Sequence, residues 1–83
     1  MYWPRAVMPR DGGFRVTVVN RNIPNMLGQM STVLAQSGQN IVDMLNQSRG
    51  DLAYTLIDVE SPVDDETVAS LNRIDGVLSV RAL

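Results

Sequence analysis

Two stretches of this chain change their hydrophobic period in the same order, and a glycine closes each change. Phe14–Val19 alternates, with Phe14, Val16 and Val18 pointing one way and Arg15, Thr17 and Val19 the other. A polar loop, Asn20-Arg21-Asn22-Ile23-Pro24-Asn25, follows. Met26, Leu27, Met30, Val33 and Leu34 then recur at helical spacing, which predicts an amphipathic helix of about three turns. Pro24 and Asn25 mark its start and Gly38 its stop. Asn40–Ser48 and Leu52–Glu60 read as strands joined by a tight connection at Arg49-Gly50-Asp51, an antiparallel hairpin. Beyond the Ser61-Pro62 break, Asp64, Asp65 and Glu66 lead into a second helical pattern through Val68, Leu71 and Ile74. Its acidic first turn complements the positive end of the helix dipole. Gly76 closes that helix, and Val77–Leu83 makes a last strand.

The order β-α-β-β-α-β predicts an α+β, ferredoxin-like fold. Right-handed crossovers put two helices on one face of a four-stranded antiparallel sheet, with the first and third strands central. The opposite face then lacks cover, and an open sheet edge invites side-by-side pairing with a second copy. Residues 1–13 read as an N-terminal arm or interdomain linker and 14–83 as the domain. Pro4 and Pro9 favour extended backbone in the arm, and Asp11-Gly12-Gly13 is a turn signal. Tyr2, Trp3, Val7 and Met8 give it apolar surface. Two readings stay open: a chain end with little structure, or a connector that docks on a neighbouring domain.

Composition narrows the function. The chain has 83 residues, no cysteine and no histidine, and its seven positive charges are all arginines. Disulfides, thiol nucleophiles, imidazole bases and the common zinc sites are thereby excluded. A core this small needs support from elsewhere, and association is the remaining source. A net charge of −2 with singly spaced arginines argues against nucleic acid. Apolar runs of four or five residues fall far short of the roughly 20 that span a bilayer. Without a signal-peptide pattern, a soluble cytoplasmic protein is expected.

Catalysis has little to stand on, since acid–base work would fall to carboxylates or tyrosine. The Asp64-Asp65-Glu66 cluster is accounted for by a helix start, Arg49-Gly50-Asp51 by a hairpin turn, and Met26, Met30 and Met44 by core filling. Asp58 and Glu60 lie two apart on one strand, but no second pair is available for a metal cage. The informative segment runs from Asn20 to Met26, where a central strand feeds a helix N-terminus. Backbone amides there have no intrahelical partner and attract a carboxylate or phosphate. Asn20, Asn22 and Asn25 surround it, with Asn40 at the opening of the second strand. Carboxamides offer both donors and acceptors, which suits a zwitterion; turn and cap geometry is the alternative account of the same residues.

Several segments together resemble the ACT domain, in the form that serves as the C-terminal regulatory domain of 3-phosphoglycerate dehydrogenases. Val18-Val19-Asn20-Arg21-Asn22-Ile23-Pro24-Asn25-Met26-Leu27 resembles the family's N-x-P-G-x-L loop, and Gly38-Gln39-Asn40-Ile41 its G-x-N-I turn. Tyr54–Glu60 is similar to the strand ending I-D-I/V-E, and Ile74–Arg81 to the closing I-x-G strand. Trp3-Pro4, Met8-Pro9 and Gly12-Gly13 resemble the stretch that precedes the domain.

The resemblance implies an L-serine-binding allosteric domain of serine biosynthesis, without catalysis or cofactor of its own. Its parent would be an NAD-dependent phosphoglycerate dehydrogenase whose catalytic domains it regulates. Two copies would join sheets side by side as a homodimer and hold L-serine or another small amino acid at the junction. Asn22 and Asn40 fall on the family's ligand-contacting asparagines, and the turn through Ile23, Pro24, Asn25, Met26 and Leu27 would supply backbone donors. Asn20 stands where serine-sensitive members often carry histidine, and it cannot become cationic. Asn25 replaces the usual glycine, a substitution that positive φ tolerates in asparagine. The alternative is a ligand-independent dimerisation domain of the same enzyme, or a stand-alone ACT protein.

Overall fold

The computed structural model describes residues 13–82. The arm expected over residues 1–13, apart from Gly13, lies outside the described residues, as does its resemblance to the segment preceding an ACT domain. Six elements follow in the expected order: β1 (Phe14–Arg21), α1 (Met26–Gln36), β2 (Ile41–Arg49), β3 (Leu52–Val59), α2 (Asp65–Asn72) and β4 (Val77–Ala82). The strands form one antiparallel sheet in the order β2-β3-β1-β4, so the first and third are central.

Register explains which residues are buried. Val16 lies opposite Ile57 and Phe14 opposite Val59, and with Val18 these residues share one face of the pleat. Met26, Met30 and Leu34 of α1 and Leu71 of α2 pack on that face, which places both helices on the same side. Val16, Val18, Met30, Leu34, Ile57, Val59 and Leu71 have no exposed surface. Burial of each such large side chain contributes roughly 1.5–3 kcal/mol. The methionines read as core behave as core: Met26 and Met30 are buried and Met44 packs against the cluster.

Gly38 takes the left-handed conformation that ends a helix. At the end of α1, Gly38 has φ 81°; its N–H donates to Ala35 O at 3.0 Å and the Gln39 N–H to Leu34 O at 3.0 Å. Gly76, read as the stop of the second helix, is not one: α2 ends at Asn72 with Arg73 as its C-cap. Gly76, at φ 100°, lies in the turn into β4, where a Cβ would meet Ile23 Cδ1 at 3.0 Å.

The outer face of the sheet carries a different chemistry. Arg15 and Asp58 are cross-strand partners, and the guanidinium grips the carboxylate through Nε to Oδ1 at 2.7 Å and Nη2 to Oδ2 at 3.1 Å. That hydrogen-bonded pairing raises the arginine pKa above its ordinary value. Asp58 is thus an ion-pair partner, while Glu60 lies beyond the end of β3, so the two do not act together. No group of three or more potential metal-ligating residues occurs among the described residues, and no helix there is long and apolar enough to cross a membrane.

Two further expectations need correction. Asn20 and Arg21 continue β1 rather than opening the loop. Arg21 pairs with Leu52, its N–H donates to Gly76 O at 2.7 Å, and Asn20 is buried under the start of α1. Leu27, read as part of the buried helical stripe, is 38% exposed, because Met26, Met30 and Leu34 take the inward positions.

Candidate ligand site at the start of the first helix

The chain leaves β1 and turns into α1 in four residues, and two constraints shape that turn. Asn22 ties it to the β2–β3 connection: its backbone N–H donates to Asp51 O at 2.7 Å and its Nδ2 to Gly50 O at 3.1 Å. Asn25 occupies the N-cap position with φ 65° and ψ 17°, a left-handed residue that asparagine adopts more readily than most side chains. The turn thus tolerates asparagine in place of glycine, as the sequence suggested.

In this conformation the Asn25 side chain makes no capping hydrogen bond, and the first turn of α1 contains no acidic residue. The Gln29 N–H is the first in the helix to find a carbonyl, Asn25 O at 3.2 Å. The amides of Met26, Leu27 and Gly28 precede it and have no acceptor among the described residues. They border a cleft of about 220 Å³ lined by Asn20, Asn22, Ile23, Asn25, Met26, Leu27, Gly28, Asn46 and Ala53. That volume is below the roughly 300–1,000 Å³ of sites for drug-sized molecules and suits a smaller ligand. Two larger clefts lie against the helices, one between α1 and the start of α2 and one along α1. The first is bordered by Asp64 and Thr67, which already bond each other.

Six of the eight sequence-predicted residues line this cleft. Asn20, Asn22, Ile23, Asn25, Met26 and Leu27 line it, whereas Pro24 does not and has no N–H to offer. The polar atoms of Asn20 are already engaged: Nδ2 donates to Arg21 O at 2.9 Å and Oδ1 accepts from the Thr55 hydroxyl at 3.1 Å. Asn40 stands apart. It donates to Glu60 at the opposite end of β2, so one chain alone does not bring it to Asn22. Asn46 is the lining residue that sequence reasoning missed. It faces Thr55 across the hairpin and donates from Nδ2 to that hydroxyl at 2.9 Å. Its signal was a polar residue in step with Met44 on the inner side of a strand.

With the geometry established, comparison identifies the class. No protein-family model matches the chain. Among solved structures, the ACT domain of the GTP pyrophosphokinase of Chlorobium tepidum superposes with a TM-score of 0.70 at 16% identity, covering 84% of this chain and 95% of that one. The ligand-free regulatory subunit of aspartate kinase from Thermus thermophilus gives 0.69 at 10% identity, covering 86% and 50%. The fold is that of an ACT domain.

Sequence comparison adds curated relatives of one kind. The chain is 26% identical, over 83 aligned positions, to the D-3-phosphoglycerate dehydrogenase of Escherichia coli K12, covering 98% of this chain and 20% of the relative. It therefore spans about a fifth of the length of the curated relatives it matches.

Proposed function

We propose that this domain is a regulatory module of a phosphoglycerate dehydrogenase that binds a free small amino acid, L-serine foremost, in the cleft at the start of α1. The observation that carries this reading is the uncapped, acid-free first turn of α1 opening on a cleft lined by carboxamides. The ligand carboxylate takes the amides of Met26 to Gly28, where helix-terminal N–H groups and the dipole favour negative charge. The ammonium takes carboxamide oxygens. The similarity to D-3-phosphoglycerate dehydrogenases and to a regulatory subunit supports regulation over catalysis.

A second copy completes the site. β2 is an edge strand, and antiparallel pairing of two such edges sets the start of one β2 beside the end of the other. Asn40 of one copy then approaches the partner's cleft, which borders the later half of β2 through Asn46. A ligand held between copies binds the paired arrangement more tightly than a loosened one and shifts the equilibrium by that difference. Coupling of about 1–3 kcal/mol is the usual scale. The parent's catalytic domains would sense that shift through the linker over residues 1–13.

Titration calorimetry with L-serine at millimolar concentration, with D-serine as control, tests binding, and sedimentation tests pairing. Heat with the L enantiomer and a dimer are expected. A stable dimer indifferent to every common amino acid would leave a ligand-independent dimerisation domain. A monomer would end both readings.

A further inference from the structure

The hydrogen bonds beneath the cleft form a relay whose polarity one backbone carbonyl fixes. Arg21 O can only accept, and it receives the Ile23 N–H at 2.9 Å and the Asn20 side chain at 2.9 Å. Asn20 must therefore present Nδ2 to Arg21 and Oδ1 to Thr55. The Thr55 hydroxyl gives its one proton to that oxygen and can only accept from the next residue. Asn46 must in turn present Nδ2 to Thr55. Its Oδ1 is left over, and among the described residues nothing donates to it. Asn20 and Thr55 are buried, so their orientations are enforced by the desolvation cost of an unpaired polar atom. Asn46 is exposed and lines the cleft.

We infer that Asn46 is a specificity residue of the cleft, presenting a carboxamide oxygen to the ligand's ammonium, with Thr55 and Asn20 as the positioning residues that hold it in that sense. The inference rests on the amino-acid-binding reading and adds to it. Asn20 contributes orientation, Asn46 contributes the contact, and the site discriminates by the α-substituent of its ligand. A ligand with a hydroxyl in place of the ammonium loses the charge-assisted bond to this oxygen.

Calorimetry on the parent chain, Asn46→Leu, Asn46→Asp and Thr55→Val tests this, using L-serine and its 2-hydroxy analogue L-glycerate. The parent is expected to prefer L-serine by about tenfold or more, the scale of one hydrogen bond to a charged group. Asn46→Leu should lose most of that preference while still binding L-glycerate. Asn46→Asp keeps an acceptor and should retain it. Thr55→Val, which alters a residue outside the cleft lining, should narrow the preference in proportion to the freedom Asn46 gains. An Asn46→Leu variant with the parent's preference overturns the inference and leaves amino-acid binding standing. A parent chain that binds neither compound overturns amino-acid binding itself, and the role of Asn46 with it.

Discussion

The two helices of this domain begin in opposite ways. At α2, Asp64 sits in extended conformation at φ −82° and ψ 168° and accepts the Thr67 N–H at 2.8 Å, with Asp65 and Glu66 in the first turn. At α1, Asn25 is left-handed, caps nothing, and precedes a first turn without a carboxylate. The α2 start answers its own unpaired amides and dipole from its own sequence. The α1 start leaves the same requirement unmet, and does so beside a cleft lined by carboxamides. A helix end that forgoes its local stabilisation is informative because closing it needs only one suitable side chain.

The sharpest way to break this contrast is to remove the side chain that straps the α1 turn in place. Asn22→Ala deletes the bond to Gly50 O and one carboxamide of the cleft. L-serine affinity should fall by about 10- to 100-fold, the equivalent of roughly 1.5–3 kcal/mol for a hydrogen bond to a charged group. The same substitution should shift stability much less, since Asn22 is exposed. Calorimetry and a denaturant melt on one preparation separate the two. Unchanged affinity would mean that L-serine binds away from the open helix start.

Gly28→Ala acts at the same turn with opposite signs for stability and binding. A Cβ there would stand 2.5 Å from Asn25 Oδ1, the movable end of a side chain. Alanine favours helix over glycine by about 0.5–1 kcal/mol, so a higher denaturation midpoint is expected once the Asn25 carboxamide swings aside. The added methyl and the displaced amide both enter the cleft, and L-serine binding should weaken severalfold. A variant that gains stability and keeps full affinity would place the ligand elsewhere.

Much of the architecture was legible because periodicity and punctuation agreed. Val16 and Val18 alternated as they pack, Met26, Met30 and Leu34 recurred on one helical face, and Gly38 took the left-handed stop after α1. The site was legible in part. Asparagine is a poor strand residue, which set the end of β1 too early. In the folded chain the Thr55 hydroxyl and the Arg21 carbonyl satisfy Asn20 inside the sheet, a long-range compensation that local propensity does not contain. Leu27 fitted the helical spacing yet lies at the cleft, since an apolar stripe does not say which of its members points inward. Asn46 becomes visible only once the hairpin register sets it opposite Thr55. Asn40 lies at the far end of β2 within one chain, so its part in the proposed site depends on a second copy, which a single sequence does not display.

The smallest effect belongs to the closed helix start, where the expected change is in stability alone. Hydrogen bonds from Thr67 lower the Asp64 pKa below its ordinary value of 3.8, so the folded state favours the ionised carboxylate. A carboxyl with a depressed folded pKa contributes fully at pH above the unfolded value, and the contribution disappears as pH falls through the folded value. Asp64→Ala should therefore melt below the parent at neutral pH, with the two curves converging in acid. Asp64→Asn keeps a capping oxygen without the charge, so it should lie between them at neutral pH and lack the acid dependence. Neither variant should change L-serine binding, because Asp64 does not line the cleft at α1. Binding that followed the charge at Asp64 would tie the two helix starts together and remove the division of labour between them.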